Sequence, residues 1–217
     1  MLFRHNFFEF EDLKTDESTG ERHYLLPDGS AVPSVTTVLS KLSKAGIDAW
    51  KQRVGEEEAK RISTKAALRG TAIHKICEAF LLNDPNYIKG QMPTDKETFR
   101  KLQPYLEQCI GTIYGLEIPL FSKVLNTAGR TDCIAEYKGK MSVVDFKTSR
   151  KPKREEWIEN YFIQATCYAL MAEAMFRVDI PQIVVMICVD NEDPQIFRRK
   201  KDKYIERVNQ VFIHERN

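Results

Sequence analysis

Two runs of strand-forming residues flank a Lys-Gly pair in the middle of the chain. They lie in residues 128–149, AGRTDCIAEYKGKMSVVDFKTS, and the pair is Lys138-Gly139. A two-residue loop that contains glycine is typical of a β-hairpin. If these two residues form the loop, Tyr137 pairs with Lys140, and each later pair moves one residue outward on both strands. The sequence therefore predicts a tight antiparallel hairpin.

This register places two aspartates across from each other. Asp132 on the first strand and Asp145 on the second become partners, with Cβ atoms roughly 4.5–5.5 Å apart. Lys147 shares a face with Asp145 because residues two apart in a strand point the same way. Like charges in this position destabilise a sheet unless a cation lies between them. A bulge at Gly139 would shift the pairing by one residue and separate the acids.

Two carboxylates and a lysine on one face of a sheet admit two interpretations. Oxygen ligands suit Mg²⁺, which commonly takes one or two protein carboxylates together with substrate phosphate. The alternative is a salt-bridged trio, or an Asp132 that caps a turn after Gly129. The hairpin is expected in the centre of the sheet because both of its faces carry apolar residues. These are Ile134 and Val143 on the acidic face, and Ala135, Val144 and Phe146 on the other.

Length and composition fit one soluble domain. The chain has 217 residues, of which 42% are hydrophobic and 29% charged, which is ordinary globular composition. Its longest apolar run, IVVMICV, is much shorter than the ~20 residues of a membrane span, so no membrane partner is expected. The N-terminus has the pattern of neither a signal peptide nor an Arg-rich transit segment. A cytoplasmic location is the resulting expectation.

The cysteines and the distribution of charge indicate the redox state of the thiols and a candidate binding surface. Five cysteines without a C-x-x-C pair predict buried reduced thiols. The net charge of +2 indicates no partner by itself, but KTSRKPKR (147–154) and RRKKDK (198–203) are strongly basic. Such runs are usually solvated surface. The first begins at Lys147, where it would meet a phosphate backbone.

Helical and strand patterns alternate along the rest of the chain. Residues 7–35 suggest a hairpin around the turn PDGS. A strand in LEIPLFSKVL leads into the central hairpin, and the order of helix, three strands, helix and strand predicts an α/β fold with a mixed sheet. Helices are predicted over 35–43, 46–62, 70–82, 95–113, 154–176 and 199–214, and a further strand over 182–190.

Three motifs carry a family resemblance. GRTD (129–132), VVDFKTS (143–149) and QATCYAL (164–170), in this order and spacing, resemble the PD-(D/E)XK nuclease superfamily and its RecB-like branch. The similarity is strongest to the mitochondrial genome maintenance exonuclease family and its phage and bacterial relatives. It implies a single nuclease domain with a restriction-endonuclease-like core over 70–217 and an N-terminal helical and hairpin elaboration over 1–69. Some relatives carry a four-cysteine iron–sulfur cluster, but the ligand spacing is missing here, so none is expected.

The resemblance implies a metal-centred site. Asp132 and Asp145 would be carboxylate ligands of Mg²⁺ or Mn²⁺, and the backbone carbonyl of Phe146 a third oxygen ligand. Lys147 would hold the nucleophilic water and the scissile phosphate. His74 matches a histidine ligand of the branch, although without the family a helix-surface or cap histidine is the favoured interpretation.

Four further residues surround this predicted site. Glu78, one helical turn after His74, either binds a second metal or orients the His74 ring. Glu117 either binds a second metal or is an edge-strand charge. Gln164 and Tyr168 match the family's Q-x-x-x-Y, which would position the DNA backbone and brace the lysine; alternatively they are only the flank of a helix that meets the sheet.

DNA contacts are assigned to the segment after the lysine. Arg130 either grips phosphate or faces outward. Phe7, Phe8, Phe10 and Tyr24 either stack on single-stranded bases or belong to the core. The predicted nucleic-acid-binding residues are Thr148, Ser149, Arg150, Lys151, Lys153 and Arg130.

Together these implications predict a metal-dependent DNA nuclease. It would be an exonuclease that acts on single-stranded ends or flaps in phage or bacterial DNA processing, and its end preference rests on family analogy alone. The alternatives are a structure-specific endonuclease with the same site and a non-catalytic nucleic-acid-binding accessory protein. The full set of Asp132, Asp145, Lys147 and Gln164 argues against the accessory protein.

Overall fold

The computed structural model describes residues 2–18 and 20–214. Its strands are β1 (Arg4–His5), β2 (Lys14–Asp16), β3 (His23–Leu25), β4 (Ala31–Pro33), β5 (Ile110–Ser122), β6 (Thr127–Tyr137), β7 (Lys140–Ser149), β8 (Gln182–Val189) and β9 (Gln195–Lys200). Its α-helices are α1 (Val35–Leu42), α2 (Lys44–Val54), α3 (Glu56–Leu81), α4 (Pro93–Cys109), α5 (Glu159–Phe176) and α6 (Ile205–Asn209). Short helical turns cover Glu155–Trp157, Lys201–Tyr204 and Gln210–His214.

A six-stranded mixed sheet forms the centre of the fold, in the order β1-β5-β6-β7-β8-β9. The β1–β5 and β7–β8 pairs are parallel, and the other pairs are antiparallel. Helix α5 connects β7 to β8 as a crossover. All eight residues of β8 are buried, as expected for a strand covered on both faces.

Helices cover both faces of this sheet, so the predicted α/β architecture is confirmed. Helix α5 packs on one face together with α1 and α6, and α3 and α4 pack on the other. The alternation of the hairpin decides which side chain enters which layer. Ile134 and Val143 enter the α5 layer, whereas Ala135, Val144 and Phe146 enter the α3–α4 layer.

The predicted hairpin register is confirmed from its turn outward. Lys138 and Gly139 have φ angles of 50° and 74°, the left-handed values that a two-residue turn of type I′ requires. Tyr137 pairs with Lys140, and the pairing continues without a bulge to Cys133 and Val144. It ends there, one position before the two aspartates.

Two helix predictions were wrong at Gly70. In place of the predicted helices 46–62 and 70–82, α2 ends before Gly55 (φ 87°), and α3 then runs continuously through Gly70. A Cβ at Gly70 would lie 3.8 Å from the Thr148 hydroxyl, an ordinary contact distance, so α3 passes close to β7 at this residue. The division of the domain at residues 69 and 70, which falls inside this helix, stays a prediction.

The predicted hairpin around PDGS is observed as β3 and β4, and β2 adds a third strand to it in the order β2-β3-β4. The C-terminal end of the chain differs from the prediction. The predicted terminal helix over 199–214 begins as β9, and only its later part is helical. Lys201 and Glu173 form a buried ion pair at 2.6 Å at the end of β9. No helix among the described residues has the length and apolar composition needed to cross a membrane.

Candidate active site

The site lies where β6 and β7 separate. Beyond Cys133 and Val144, β6 remains paired only with β5, and β7 only with β8. The carboxylate of Asp132 accepts a hydrogen bond from the backbone N–H of Phe146 at 2.7 Å. This contact replaces the ladder at the point of separation. Side chains from both helical layers can meet in the resulting opening.

Three metal-ligating side chains converge in this opening. Ligand atoms of His74, Glu117 and Asp132 all lie within 4.8 Å of one another. His74 comes from α3, and its Nδ1 lies 3.2 Å from Oδ1 of Asp132. The pairs on either side of Glu117 in β5 place it opposite Asp132 in β6. On the β5 side the acid across from Asp132 is therefore Glu117. On the β7 side the predicted pair of Asp132 with Asp145 is not formed, because that ladder ends at Cys133 and Val144.

Glu117 holds an unusual backbone conformation inside β5. Its φ of 50° lies in the left-handed region, which costs free energy for a residue with a side chain. The guanidinium of Arg130 donates hydrogen bonds to the Glu117 carbonyl oxygen and to the Asp12 carboxylate. Arg130, predicted to bind nucleic acid, is thus engaged in holding the strand that presents Glu117.

Asp145 and Lys147 form a separate, largely buried ion pair. The ammonium of Lys147 donates a hydrogen bond to Oδ1 of Asp145 at 2.7 Å. It also lies 2.6 Å from Oδ2, but that contact does not have hydrogen-bond geometry. The ammonium also lies 5.3 Å from the centre of the Tyr161 ring. The predicted common face of Asp145 and Lys147 is therefore observed. Asp145 is outside the three-residue group around Asp132.

Burial and neighbouring charges shift the pKa values of the three residues in this group. Burial, together with the charges of Asp132 and Glu78, raises the pKa of Glu117 to about 7. Burial opposes ionisation of Asp132, but the hydrogen bond and charge of His74, the charge of Lys147 and the Phe146 N–H together outweigh it and lower the pKa of Asp132. Burial likewise opposes the charged form of His74, yet Asp132 raises the pKa of its imidazole. The group concentrates negative charge that a cation would neutralise.

The Asp145–Lys147 pair shows the same competition. Burial raises the pKa of Asp145 despite the neighbouring ammonium. Burial disfavours the charged form of Lys147, but attraction to Asp145 and Asp132 exceeds that cost and raises the pKa of the lysine. Lys147 therefore stays a cation, which is the form that attracts phosphate.

Gln164 and Tyr168 enter the opening from the opposite layer. They lie one turn apart on α5 and interact with each other through their side chains. Tyr168 is buried, and a side chain at Gly129 would come within 2.7 Å of its ring and hydroxyl. The glycine of GRTD is thus required by the close approach of Tyr168 to β6.

We call the cavity at this opening the catalytic cleft. Its volume is about 1030 Å³, and the N-terminal sheet and the segment before it close one side. Glu78 lines it near His74 but is not a member of the three-residue group. The side chains that line its centre are His74, Glu78, Glu117, Arg130, Asp132, Lys147, Gln164 and Tyr168.

Comparison with known protein families identifies the superfamily of the chain that forms this cleft. The model of the PD-(D/E)XK nuclease superfamily matches residues 92–214, more than half of the chain. The chain belongs to the PD-(D/E)XK nuclease superfamily. The expected family and fold are therefore confirmed, and the cleft lies in a nuclease.

The curated relatives are exonucleases. Mitochondrial genome maintenance exonuclease 1 of Mus musculus is 30% identical over 132 residues, covering 57% of this chain and 39% of that protein. The Homo sapiens protein is 30% identical over 145 residues, covering 63% and 40%. The chain thus spans about two fifths of the length of these relatives. The crystal structure of SSO0001 aligns with a TM-score of 0.42 at 15% identity, over 85% of this chain and 75% of that one.

The donor set of this nuclease fits a divalent metal. PD-(D/E)XK nucleases generally use divalent metal ions, and the cleft brings two carboxylates and one imidazole within 4.8 Å. Carboxylate oxygens suit hard divalent ions such as Mg²⁺ and Mn²⁺. The raised pKa of Glu117 also indicates carboxylates packed more closely than their own charges favour. The backbone carbonyl of Phe146 stays a predicted ligand.

The predicted DNA-binding segment of the nuclease lines a second cavity. We call this cavity of about 1200 Å³ the basic groove. The Ser149 hydroxyl donates to the Lys151 carbonyl at 2.6 Å, so it closes a turn in the wall of the groove. The groove is lined by Arg61, Ile62, Lys65, Ala66, Arg69, Thr148, Ser149, Arg150, Lys151, Pro152, Lys153, Arg154, Trp157, Tyr161 and Asp190.

Of the four aromatic residues considered for base stacking, Phe8 and Tyr24 are used in the fold, whereas Phe7 and Phe10 are exposed. Phe8 stacks on Phe176 with ring centroids 4.3 Å apart, and Tyr24 is buried. In the second basic run, Arg199 pairs with Glu155, in addition to the pair that Lys201 makes with Glu173. These side chains stabilise the packing of β9 and α5.

Sequence reasoning missed two parts of the site. Glu117 was a candidate ligand, but its position opposite Asp132 was not predicted, because the turn at 123–126 between their strands lacks the two-residue glycine signal of Lys138-Gly139. The cations at 61, 65 and 69 do have a local signal, since residues four apart lie on one helical face. The predicted helices 46–62 and 70–82 left Lys65 and Arg69 between them, and this concealed the spacing. Trp157 was not singled out.

Proposed function

We propose that this chain is a divalent-metal-dependent deoxyribonuclease, an exonuclease that acts on single-stranded DNA ends or flaps and uses Mg²⁺ or Mn²⁺. The observation that carries the proposal is the opening between β6 and β7, where the group of His74, Glu117 and Asp132 faces the same cleft as Lys147. A setting in phage or bacterial DNA processing stays a prediction from the resemblance.

Metal binding is assigned to the three-residue group. Asp132 and Glu117 would supply carboxylate oxygens and His74 an imidazole nitrogen. The buried Asp145, whose carboxylate is paired with Lys147 and interacts electrostatically with Asp132, would support the same centre. When bound, a divalent metal lowers the pKa of a coordinated water and compensates charge on phosphate. The protein's own side chains would position the substrate and the reacting groups.

Lys147 would position the reacting groups. Hydrolysis adds water to phosphorus and breaks one bridging P–O bond, so that a phosphate monoester and a hydroxyl result. Negative charge grows on the non-bridging oxygens, and a fixed cation in a water-poor site stabilises that charge. The ion pair with Asp145 and the contact with the Tyr161 ring hold the ammonium in place before the substrate binds.

Gln164 and Tyr168 would position the DNA backbone beside Lys147. Tyr168 is held between α5 and Gly129, so the Gln164 side chain, which interacts with it, is also restrained. Glu78 would orient His74 or contribute to a second metal. The names of the curated relatives support the exonuclease activity, and the unpaired basic residues beside the cleft support a nucleic-acid substrate.

A time course on end-labelled DNA tests this proposal. The substrates are 5′- and 3′-labelled linear single strands and closed single-stranded circles, each with Mg²⁺, with Mn²⁺ and with EDTA. We expect metal-dependent shortening of linear strands from an end, with circles left intact. Rapid cutting of circles would establish an endonuclease instead, and an absence of cleavage under all conditions would favour the accessory protein.

A further inference from the structure

We infer that the basic groove is the surface that holds single-stranded DNA as it reaches Lys147, and that the indole of Trp157 stacks on one of its bases. This inference rests on the proposed function, and it names the side chains that would recognise the substrate.

The walls of the groove carry a large excess of positive charge. On α3, Arg61, Lys65 and Arg69 follow one another at intervals of four residues and therefore share one face. Asp190 is the single acid among the lining residues, and it pairs with Arg69. The opposite wall carries Arg150, Lys151, Lys153 and Arg154. This arrangement fits a chain of phosphates.

Several of these cations have no acidic partner. Lys65 and Lys151 are exposed, and neither makes an ion pair within 4.0 Å in the part of the chain that the structure describes. By contrast, Arg61 is paired with Glu58 at 2.7 Å. Cations that are free in the unbound protein gain the most from neutralising phosphate, because binding releases the counterions of the DNA.

The groove is held in shape before any ligand binds. The backbone N–H of Lys153 donates to the Gln195 side chain at 2.7 Å, and the Gln195 amide donates back to the Lys153 carbonyl at 3.0 Å. Arg69 donates to the carbonyl oxygen of Ser149 at 3.3 Å, which ties α3 to the basic loop. Fixed walls lower the entropy cost of binding.

Trp157 favours a single strand over a duplex. Its side chain is 64% exposed, and the guanidinium of Arg154 lies 5.2 Å from its ring centre. Exposed aromatics beside cations are the usual platform for unpaired bases, because every base offers a flat face for stacking. In a duplex those faces are already covered by neighbouring base pairs.

The groove and the catalytic cleft are neighbours at Tyr161. Tyr161 and Thr148 line the groove, whereas Lys147 lines the cleft. The distance from the Lys147 ammonium to the Tyr161 ring centre is 5.3 Å. A strand bound in the groove therefore leads directly to the proposed catalytic cation.

Intrinsic fluorescence tests the stacking step. The chain has two tryptophans, so Trp50→Phe leaves Trp157 as the only tryptophan emitter. In EDTA, which prevents metal-dependent cleavage, a short oligo(dT) should quench this emission, and a matched duplex should quench it much less. Binding of oligo(dT) without quenching, or equal quenching by the duplex, would overturn the role of Trp157.

Variants test the groove as a whole by fluorescence anisotropy in EDTA. Trp157→Ala should bind oligo(dT) about 5- to 50-fold more weakly, and Trp157→Phe should retain most of the affinity. Lys65→Ala combined with Lys151→Ala should reduce the salt dependence, the slope of log Kobs against log[salt], by about 1.4 in magnitude. Lys140→Ala is the matched control, because this exposed lysine begins β7 at the end of the strand away from the groove.

The outcomes separate this inference from the proposed function. Wild-type affinity and salt dependence in both the Trp157 and the lysine variants would overturn the groove assignment, even if the protein cleaves DNA. Loss of affinity in these variants, in a protein that does not cleave DNA with any metal, would support the groove and remove the proposed nuclease function.

Discussion

The catalytic cleft and the basic groove lie along consecutive stretches of α3, yet they differ in how their cations are paired. In the cleft, the cations beside the acids have acidic partners, as in Lys147 with Asp145 and Arg130 with Asp12. In the groove, the arginines at 61, 69 and 154 are paired, but the exposed Lys65 and Lys151 have no acidic partner within 4.0 Å among residues 2–18 and 20–214. Buried charges must be paired to offset their desolvation, whereas exposed charges need no partner. The comparison separates residues suited to chemistry from residues suited to binding.

Among substitutions that test this comparison of cleft and groove, the largest effect is expected for a change of Lys147. Lys147→Ala should lower the rate of metal-dependent cleavage by about 10³-fold, because it removes the fixed cation beside the scissile phosphate. Affinity for oligo(dT) in EDTA should stay within about two-fold of wild type, since the groove keeps all of its cations. Single-turnover cleavage and anisotropy measure the two quantities separately.

Folding is the control for this variant, since Lys147→Ala leaves Asp145 buried without its partner. Retained binding in EDTA would show that the fold is intact. Unchanged cleavage would remove Lys147 from the mechanism. A parallel loss of cleavage and binding would contradict the division between cleft and groove.

A large effect on metal affinity is expected at Asp132. Asp132→Asn should weaken Mn²⁺ binding by about 100-fold, because it removes a charged ligand. Substitution of residues that only hydrogen-bond to metal ligands already lowers metal affinity by about 10- to 100-fold. Calorimetric titration with Mn²⁺ measures this change. In EDTA the melting temperature should fall only modestly. The folded state favours the charged form of Asp132 through His74 and Lys147, but an amide oxygen can still accept from the Phe146 N–H and one charge beside Glu117 is relieved.

The matched control is Asp48→Asn, at an exposed acid of α2, which should change neither quantity. A large drop in the melting temperature of Asp132→Asn in EDTA would mean that Asp132 is mainly structural.

An intermediate effect is expected at Arg130, which distinguishes positioning from DNA binding. Arg130→Ala should lower kcat by roughly 10-fold, because the left-handed backbone of Glu117 loses its support and a ligand is displaced. Affinity for oligo(dT) in EDTA and its salt dependence should not change. A salt slope reduced by about 0.7 in magnitude, with kcat unchanged, would instead make Arg130 a phosphate contact.

The smallest effect is expected at Glu117 and depends on pH. Its pKa of about 7 in the folded protein exceeds the ordinary glutamate value, so the folded state binds more protons and loses stability as pH rises from about 4.5 to about 7. Without metal, Glu117→Gln should raise the melting temperature at pH 8 by about 2–4 °C, the change that roughly 1 kcal/mol produces in a domain of this size.

Two further melts complete this experiment. Near pH 4.5, where Glu117 is protonated, wild type and Glu117→Gln should melt alike. With Mn²⁺ at pH 8 the order should reverse, because only wild type keeps both carboxylates. A Glu117→Gln variant that is less stable than wild type in EDTA at pH 8 would contradict the assignment of Glu117 to an overcrowded group.

Local patterns determined the centre of this fold. The Lys138-Gly139 turn and the alternation of apolar residues specify the hairpin register because a two-residue loop leaves one pairing and the pleat has a period of two. The same alternation assigned Ile134 and Val144 to opposite layers. Helical periodicity placed Gln164 and Tyr168 one turn apart. These features depend on residues close in sequence, so the sequence by itself predicted them.

Only the tertiary structure decided the composition of the site. The ladder between β6 and β7 ends before Asp132, whereas on its other edge β6 stays paired with β5, which places Glu117 opposite Asp132. Residues 123–126 close this β5–β6 hairpin, but they carry no two-residue glycine turn that would specify its register from the sequence. The uninterrupted α3 also depends on tertiary packing: its contacts with the sheet offset the low helix propensity of Gly70, and so one helix presents His74 to the cleft and Arg61, Lys65 and Arg69 to the groove.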